Sequence, residues 1–157
     1  MAAALSTDEQ VSQYREHLDR AANEVFSTML GVSCLPAEVE RREEAIAAVI
    51  GLAGALSGSL VLHCGAGAAM SLTERMTGLK PEEVDATVRD AIGEICNMVA
   101  GTWKGYAPHL ISGCLLSTPT VVEGQNYELF SQRASLRIER SYRFDDEAVR
   151  LTLFCEV

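Results

Sequence analysis

Apolar residues near the start of the chain recur at intervals of three and four, the spacing of the buried face of an amphipathic helix. This stripe consists of Val11, Tyr14, Leu18, Ala21, Val25 and Met29. Ser6 and Glu9 precede this stripe with the spacing of a capping box, in which each side chain bonds the other residue's backbone N–H. The pattern predicts a helix that begins after Ser6 and ends at Gly31.

Two short apolar runs follow, residues 47–52 and 59–64, with glycines between them. We interpret them as a strand, a turn and a second strand. The preceding stretch, residues 35–44, is ambiguous, because its glutamates and arginines favour a helix whereas Pro36 does not. After the second strand, residues 66–77 have a helical pattern that Gly78 closes.

A longer helix is predicted from Pro81 to Lys104, with proline and acidic residues at its start. Its apolar stripe contains Val84, Val88, Ile92, Ile95, Val99 and Trp103. The last third of the chain is predicted to form strands at residues 111–122, 127–130, 134–144 and 148–157, with Asp145 and Asp146 at a hairpin tip. Together these elements predict one α+β domain over residues 1–157, with about three helices packed on a largely antiparallel sheet of five or six strands.

Composition narrows the class of protein. The 157 residues include 22 acidic and 13 basic side chains, a formal net charge of −9, which argues against a nucleic-acid partner. The five cysteines have no CxxC spacing, so we expect free thiols in a reducing cytoplasm. No basic-then-apolar leader opens the sequence. The longest apolar run, residues 45–56, is too short to cross a bilayer, which takes about 20 residues, so no membrane partner is expected.

Two sequence patterns that can mark ligand sites, a glycine loop and a histidine cluster, are only weakly matched in this chain. Gly65 and Gly67 follow a predicted strand and open a helix, as in a phosphate-binding loop, but Met70 stands where a third glycine or alanine belongs. We therefore interpret them as a strand-to-helix corner. The three histidines are far apart in sequence and lack paired ligand spacing, so no metal site is expected in this chain.

The strongest chemical signal lies on the predicted helix over residues 81–104. Asn97 falls nearly opposite the apolar stripe at 100° per residue, and Glu94 lies three residues earlier on the same face. The helical neighbours of Asn97 are Gly93, Glu94, Ala100 and Gly101, and Asp90 lies on the same side. This spacing predicts a bare helical surface that carries one amide and one carboxylate.

Glycine inside a helix costs about 1 kcal/mol relative to alanine, so two glycines here indicate close approach by another helix of the same domain or by another molecule. An asparagine side chain donates and accepts hydrogen bonds at once, so Asn97 can hold a water molecule in line with an electrophile. GTPases use a glutamine in this way on phosphate. Glu94 can pair with a cation beside that electrophile.

Three segments resemble the CheX phosphatases of bacterial chemotaxis. They are residues 49–54 with 58–60, residues 91–101 (AIGEICNMVAG) and residues 118–122 (TPTVV), and together they span roughly residues 45–125. The central feature is Glu94-x-x-Asn97 inside a long helix. Four residues with this pattern would be a weak signal alone, but the flanking matches make it specific.

The resemblance implies a phosphatase that hydrolyses the aspartyl-phosphate of a CheY-like receiver domain, as CheX, CheC and FliY proteins do. Asn97 would orient the attacking water, and Glu94 would pair with a lysine of the receiver. The Mg²⁺ ion would belong to the receiver and not to this chain. These roles are carried over to Glu94 and Asn97 only, and the helical spacing predicts that Gly93, Ala100, Gly101 and Asp90 form the partner-binding face around them. We expect a cytoplasmic homodimer.

Two alternatives remain open. The chain could be a non-catalytic CheX-like adaptor that binds a receiver without dephosphorylating it, or a purely structural α+β domain. The Glu94–Asn97 pair favours the phosphatase over the adaptor. Nothing in the sequence identifies the receiver or decides between chemotaxis and another two-component system.

Overall fold

The computed structural model describes residues 5–39, 43–125 and 127–156. Four helices lie within these residues: α1 Thr7–Met29, α2 Ala66–Thr77, α3 Ala86–Gly105 and the single-turn α4 Pro108–Ile111. Seven strands lie within them as well: β1 Leu35–Pro36, β2 Ile46–Gly54, β3 Ser57–Cys64, β4 Cys114–Leu116, β5 Thr120–Glu123, β6 Leu136–Phe144 and β7 Glu147–Glu156. The predicted α+β class is confirmed.

The first two helices follow their sequence signals. The Glu9 backbone N–H donates to Ser6 Oγ at 3.3 Å, and the Ser6 N–H donates to the Glu9 carboxylate at 2.8 Å, so the capping box is formed. Gly78 ends α2 in the left-handed conformation, with φ at 77°. That conformation strains residues with a Cβ, which explains why glycine stands there.

The third helix begins later than predicted. Its N-cap is Asp85, whose side chain accepts a hydrogen bond from the Val88 backbone N–H at 3.0 Å. Pro81 lies in the preceding connection and not in the first helical turn. An aspartate cap satisfies a backbone donor that proline cannot, so the capping residue sets this boundary.

Every strand pairing in the described sheet is antiparallel. The strand order is β1-β6-β7-β3-β2-β4, and β5 pairs with β2 further along the same edge. The C-terminal strand β7 is therefore central, because it pairs with both β3 and β6. The apolar residues 151–156 therefore lie inside the sheet and not at an unpaired edge.

The last third of the chain forms shorter strands than its apolar pattern predicts. Residues 111–122 form the end of α4 and two short strands, β4 and β5, in place of one strand. Residues 127–130 form no strand, although Tyr127 and Leu129 pack on the sheet. The predicted hairpin tip is confirmed, since Asp145 joins β6 to β7 with a positive φ of 47°. Of the ambiguous stretch 35–44, residues 40–42 lie outside the described residues.

The main core lies between the helices and one face of the sheet, and it contains Ile50 of β2, Leu60 of β3 and Leu153 of β7. A small cluster on the opposite face joins Ala47, Val61 and Phe154. Among the helices described, none has the length and apolarity needed to cross a membrane. That residues 1–157 form a single domain stays a prediction.

Candidate active site

The buried face of α3 packs in the main core. Its buried residues include Val88, Ile92, Ile95, Cys96, Val99 and Trp103. The Cys96 thiol lies 3.5 Å from the Ala48 carbonyl oxygen of β2, and Trp103 Nε1 donates to the Tyr14 carbonyl oxygen of α1 at 3.2 Å. The middle of α3 is thus held on the sheet and its C-terminal part on α1, so residues on the outer face of α3 have a rigid support.

Glu94 and Asn97 lie on that outer face. Glu94 is exposed and Asn97 is half-buried. Neither side chain makes a hydrogen bond or an ion pair with any residue that the structure describes. An amide and a carboxylate three residues apart on a helix are neighbours, with Cβ atoms about 5–6 Å apart. Both are therefore available to a second molecule that approaches α3.

The surroundings of Asn97 are asymmetric, which the sequence did not reveal. Gly93 and Ala100 are buried, whereas Asp90, Glu94 and Gly101 are exposed. At 100° per residue, Gly93 and Ala100 lie about 40–60° to one side of Asn97, and the exposed residues lie about 20–60° to the other. Asn97 therefore stands on the boundary between core and surface.

The expectation that Gly93 and Ala100 belong to a bare outer surface is wrong. A Cβ on Gly93 would lie 3.4 Å from the Pro119 side chain and 3.5 Å from Val121 Cγ2, so the β4–β5 region of the same chain covers it. Ala100 is fully buried in the main core. Gly101 has no atom within 4 Å of its Cβ position and lies open. The role of these residues in partner binding stays a prediction.

Cys96, on the same helix, is no candidate nucleophile. Its side chain is fully buried, and burial raises the pKa of the thiol to about 12. A thiol must ionise to attack, so at neutral pH Cys96 is an inert part of the core.

The glycine corner before α2 lies next to a carboxylate of the same chain. Gly65 is the N-cap of α2, and a Cβ on Gly67 would lie 2.8 Å from a carboxylate oxygen of Glu147. The negative charge of this carboxylate beside the corner disfavours a phosphate ligand there. Across the described ranges, no group of three or more histidine, cysteine, aspartate or glutamate side chains is placed to hold a metal ion.

Comparison with known proteins bears on this site. The family model of the chemotaxis phosphatase CheX matches residues 46–139, which include all of α3. A CheX of Thermotoga maritima, described as a CheY-P phosphatase, is 31% identical over 106 residues, which is 67% of this chain and 68% of that protein. The chain belongs to the CheX family.

Solved structures show the same fold. CheX of Vibrio vulnificus superposes with a TM-score of 0.79 at 22% identity, covering 92% of this chain and 99% of that one. CheX of Borrelia burgdorferi, solved as a CheX-CheY-BeF3-Mg²⁺ complex, superposes with a TM-score of 0.76 at 17% identity over 92% of this chain and 98% of that one. FliY of Thermotoga maritima gives 0.68 at 15% identity, over 98% and 92%.

Proposed function

We propose that this chain is a protein phosphatase that hydrolyses the aspartyl-phosphate of a CheY-like receiver. The observation that carries the proposal is the Glu94–Asn97 pair, which lies on a rigid helix and has no partner among the described side chains. Membership of the CheX family and the activity named for the Thermotoga maritima relative support it.

Asn97 supplies the water-orienting group. Its carboxamide oxygen accepts a hydrogen bond from a water molecule, while its NH₂ donates to a phosphoryl oxygen. The water attacks phosphorus, the bond from phosphorus to the receiver's carboxylate oxygen breaks, and free phosphate and an aspartate carboxylate remain. Phosphoryl transfer depends mainly on positioning and charge stabilisation, and the amide supplies the positioning by fixing the water in line.

Glu94 supplies the anchor. An exposed carboxylate three residues from Asn97 can form a charge-assisted hydrogen bond with a lysine of the receiver. That bond would fix the receiver so that its phosphoryl group faces Asn97. We propose that Mg²⁺ is bound by the receiver and offsets negative charge on the phosphoryl group. The Borrelia burgdorferi structure, described as a complex with CheY, BeF3 and Mg²⁺, is consistent with this assignment.

The test uses the purified full chain and a CheY-type receiver encoded in the same genome, phosphorylated with acetyl phosphate in the presence of Mg²⁺. Wild type should accelerate phosphate release, and Asn97→Ala should lower the rate by about 10²-fold or more, because a lost positioning group costs about 2.7 kcal/mol of barrier. Asn23→Ala, the same change at an exposed site on α1, is the matched control. Binding of the phosphorylated receiver without acceleration would favour the adaptor.

We propose further that the protein is a homodimer. The supporting feature is the pair of sheet edges, β1 and β4, which carry the exposed apolar side chains Leu35 and Leu115. Unpaired edges with apolar side chains favour association. Light scattering at micromolar concentration should give twice the chain mass. Leu115→Lys and Leu35→Lys would identify the edge involved, and a monomeric wild type would contradict the proposal.

A further inference from the structure

The three segments that resemble the family meet at one place in the fold. Strand β2 pairs with β4 at residues 52–54 and with β5 at residues 46–49. Residues 117–119 connect β4 to β5 and so cross the gap between these two pairings. They lie beside α3, because Pro119 covers Gly93. The helix that carries Asn97, the strand β2 and this connection therefore form one packed junction.

Hydrogen bonds from Ser117 hold the β4–β5 connection against β2. The Gly51 backbone N–H donates to Ser117 Oγ at 2.7 Å, and the Ser117 N–H donates to the Gly51 carbonyl oxygen at 2.9 Å. Ser117 Oγ also donates to the Thr118 carbonyl oxygen at 2.9 Å. The hydroxyl accepts and donates at once, so its orientation is fixed, and it carries the sheet hydrogen bonding across a gap that neither β4 nor β5 fills.

Pro119 packs on the turn of α3 that precedes Asn97, on the side away from Glu94. Its side chain covers Gly93, which is on the buried side of Asn97, whereas Glu94 is on the exposed side. Helical side chains point back toward the N-terminus, so the Asn97 side chain extends over the turn that contains Gly93. The Pro119 ring is therefore placed to limit the rotamers of Asn97 from one side.

We propose that Ser117 is a positioning residue for the phosphatase reaction: through Gly51 it fixes Pro119, and Pro119 restricts the side chain of Asn97. This inference rests on the proposed function. A water-orienting amide works only within a narrow range of positions, and a displacement of about 1 Å can cost on the order of 10²-fold in rate. The Ser117 hydroxyl, although exposed and without contact to the reacting atoms, thereby sets the catalytic rate.

The kinetic test compares Ser117→Ala, Ser117→Thr and Pro119→Ala with wild type, and uses Ser12→Ala on the exposed face of α1 as the matched control. Ser117→Ala and Pro119→Ala should lower kcat about 10-fold and leave KM within about twofold, since docking is intact while the amide is misplaced. Ser117→Thr keeps the hydroxyl and should retain kcat. Circular dichroism at the assay temperature establishes that each variant is folded.

A second readout does not require turnover. In ¹⁵N-labelled protein, the side-chain NH₂ signal of Asn97 is assigned by its loss in Asn97→Ala, and its order is measured by relaxation. It should be ordered in wild type and Ser117→Thr, and mobile in Ser117→Ala and Pro119→Ala. If wild type failed to accelerate phosphate release, the proposed function would fail, and this measurement would still decide the role of Ser117.

Three results would overturn the inference. One is an unchanged kcat in folded Ser117→Ala, even with a lower melting temperature, since Ser117 would then be structural only. Another is a raised KM with kcat intact, which would make residues 117–119 a docking surface. The third is an Asn97 amide signal that is equally ordered in wild type, Ser117→Ala and Pro119→Ala.

Discussion

Gly93 of α3 and Pro119 before β5 pack against each other, such that a Cβ on Gly93 would lie 3.4 Å from the proline side chain. Glycine at position 93 therefore lets Pro119 of the same chain pack closely on α3. Gly101, two helical turns later, has open space around its Cβ position. Gly93 and Gly101 thus have different physical roles, and the same substitution at each position can distinguish them.

Gly93→Leu should destabilise the protein, and Gly101→Leu should not. A leucine at 93 must displace Pro119, and overpacking of this kind costs about 1–3 kcal/mol. A leucine at 101 points into open space and gains about 0.8 kcal/mol of helix propensity over glycine. Urea unfolding of both variants measures the difference. Equal stability for the two would contradict the packing of Pro119 on Gly93.

Gly101→Leu should also change the kinetics of the phosphatase reaction. Gly101 lies on the exposed side of Asn97, where the receiver is proposed to approach. Gly101→Leu should therefore raise KM for the phosphorylated receiver at normal stability, because added bulk obstructs docking. Gly101→Ala is the smaller control and should change KM much less. A normal KM in Gly101→Leu would place the receiver elsewhere on the helix.

Glu94→Gln should lower kcat/KM by roughly 10-fold, because a hydrogen bond between charged groups contributes about 1.5–3 kcal/mol and the amide keeps only a weaker neutral bond. The rate of the variant should also depend less on salt, since the lost interaction is between charges. Glu74→Gln, on the exposed face of α2, is the matched control. Identical salt dependence in wild type and Glu94→Gln would argue against an ion pair with the receiver.

Stability should fall as the pH drops below about 6.5, the ordinary pKa of histidine, in part because of His17. Burial and the neighbouring Arg20 lower the pKa of His17, and its Nδ1 has no hydrogen-bond partner among the described residues. The unfolded chain therefore takes up a proton that the folded chain resists, so unfolding is favoured as the pH falls. Melting temperatures between pH 8 and pH 5 should decline less in His17→Gln than in His109→Gln, the control at an exposed histidine.

The five cysteines should resist thiol reagents in the native protein. All five are buried and free, and burial is the largest cause that raises the pKa of Cys34, Cys96 and Cys155 to about 12. Ellman's reagent at pH 8 should label none of them within minutes and all of them in guanidinium chloride. Above pH 9, thiols ionise in the unfolded chain first, so stability should decrease with rising pH. Fast labelling of the folded protein would contradict this burial.

Helix boundaries can be predicted from the sequence where a signal within a few residues determines them. The capping box of Ser6 and Glu9 and the glycine that follows α2 act within a few residues, so both helices were predicted with small errors. The start of α3 was missed, because proline and acidic residues are common in a first turn whereas the actual cap depends on one aspartate, Asp85.

The site was predicted in part, for a physical reason. A helical wheel ranks positions by distance from one apolar stripe, which suits a helix that packs on a single layer. Helix α3 also contacts the β4–β5 connection at its side, so Gly93 is covered although it lies far from the centre of the stripe. Ser117 was missed altogether, because its function depends on hydrogen bonds to Gly51, 66 residues away in sequence.

Glu94 and Asn97 belong to one uninterrupted helix, which fixes their separation before any receiver arrives. Binding cannot change the separation of the two backbone positions, so a receiver must present its lysine and its phosphoryl group within reach of both side chains. Insertion of one residue between positions 94 and 97 would rotate one group by about 100° relative to the other. Glu94 and Asn97 would both still be present after such an insertion, but they would face different directions and could not contact the same receiver together. The two-residue spacing between Glu94 and Asn97 is therefore as essential to the site as the two side chains themselves.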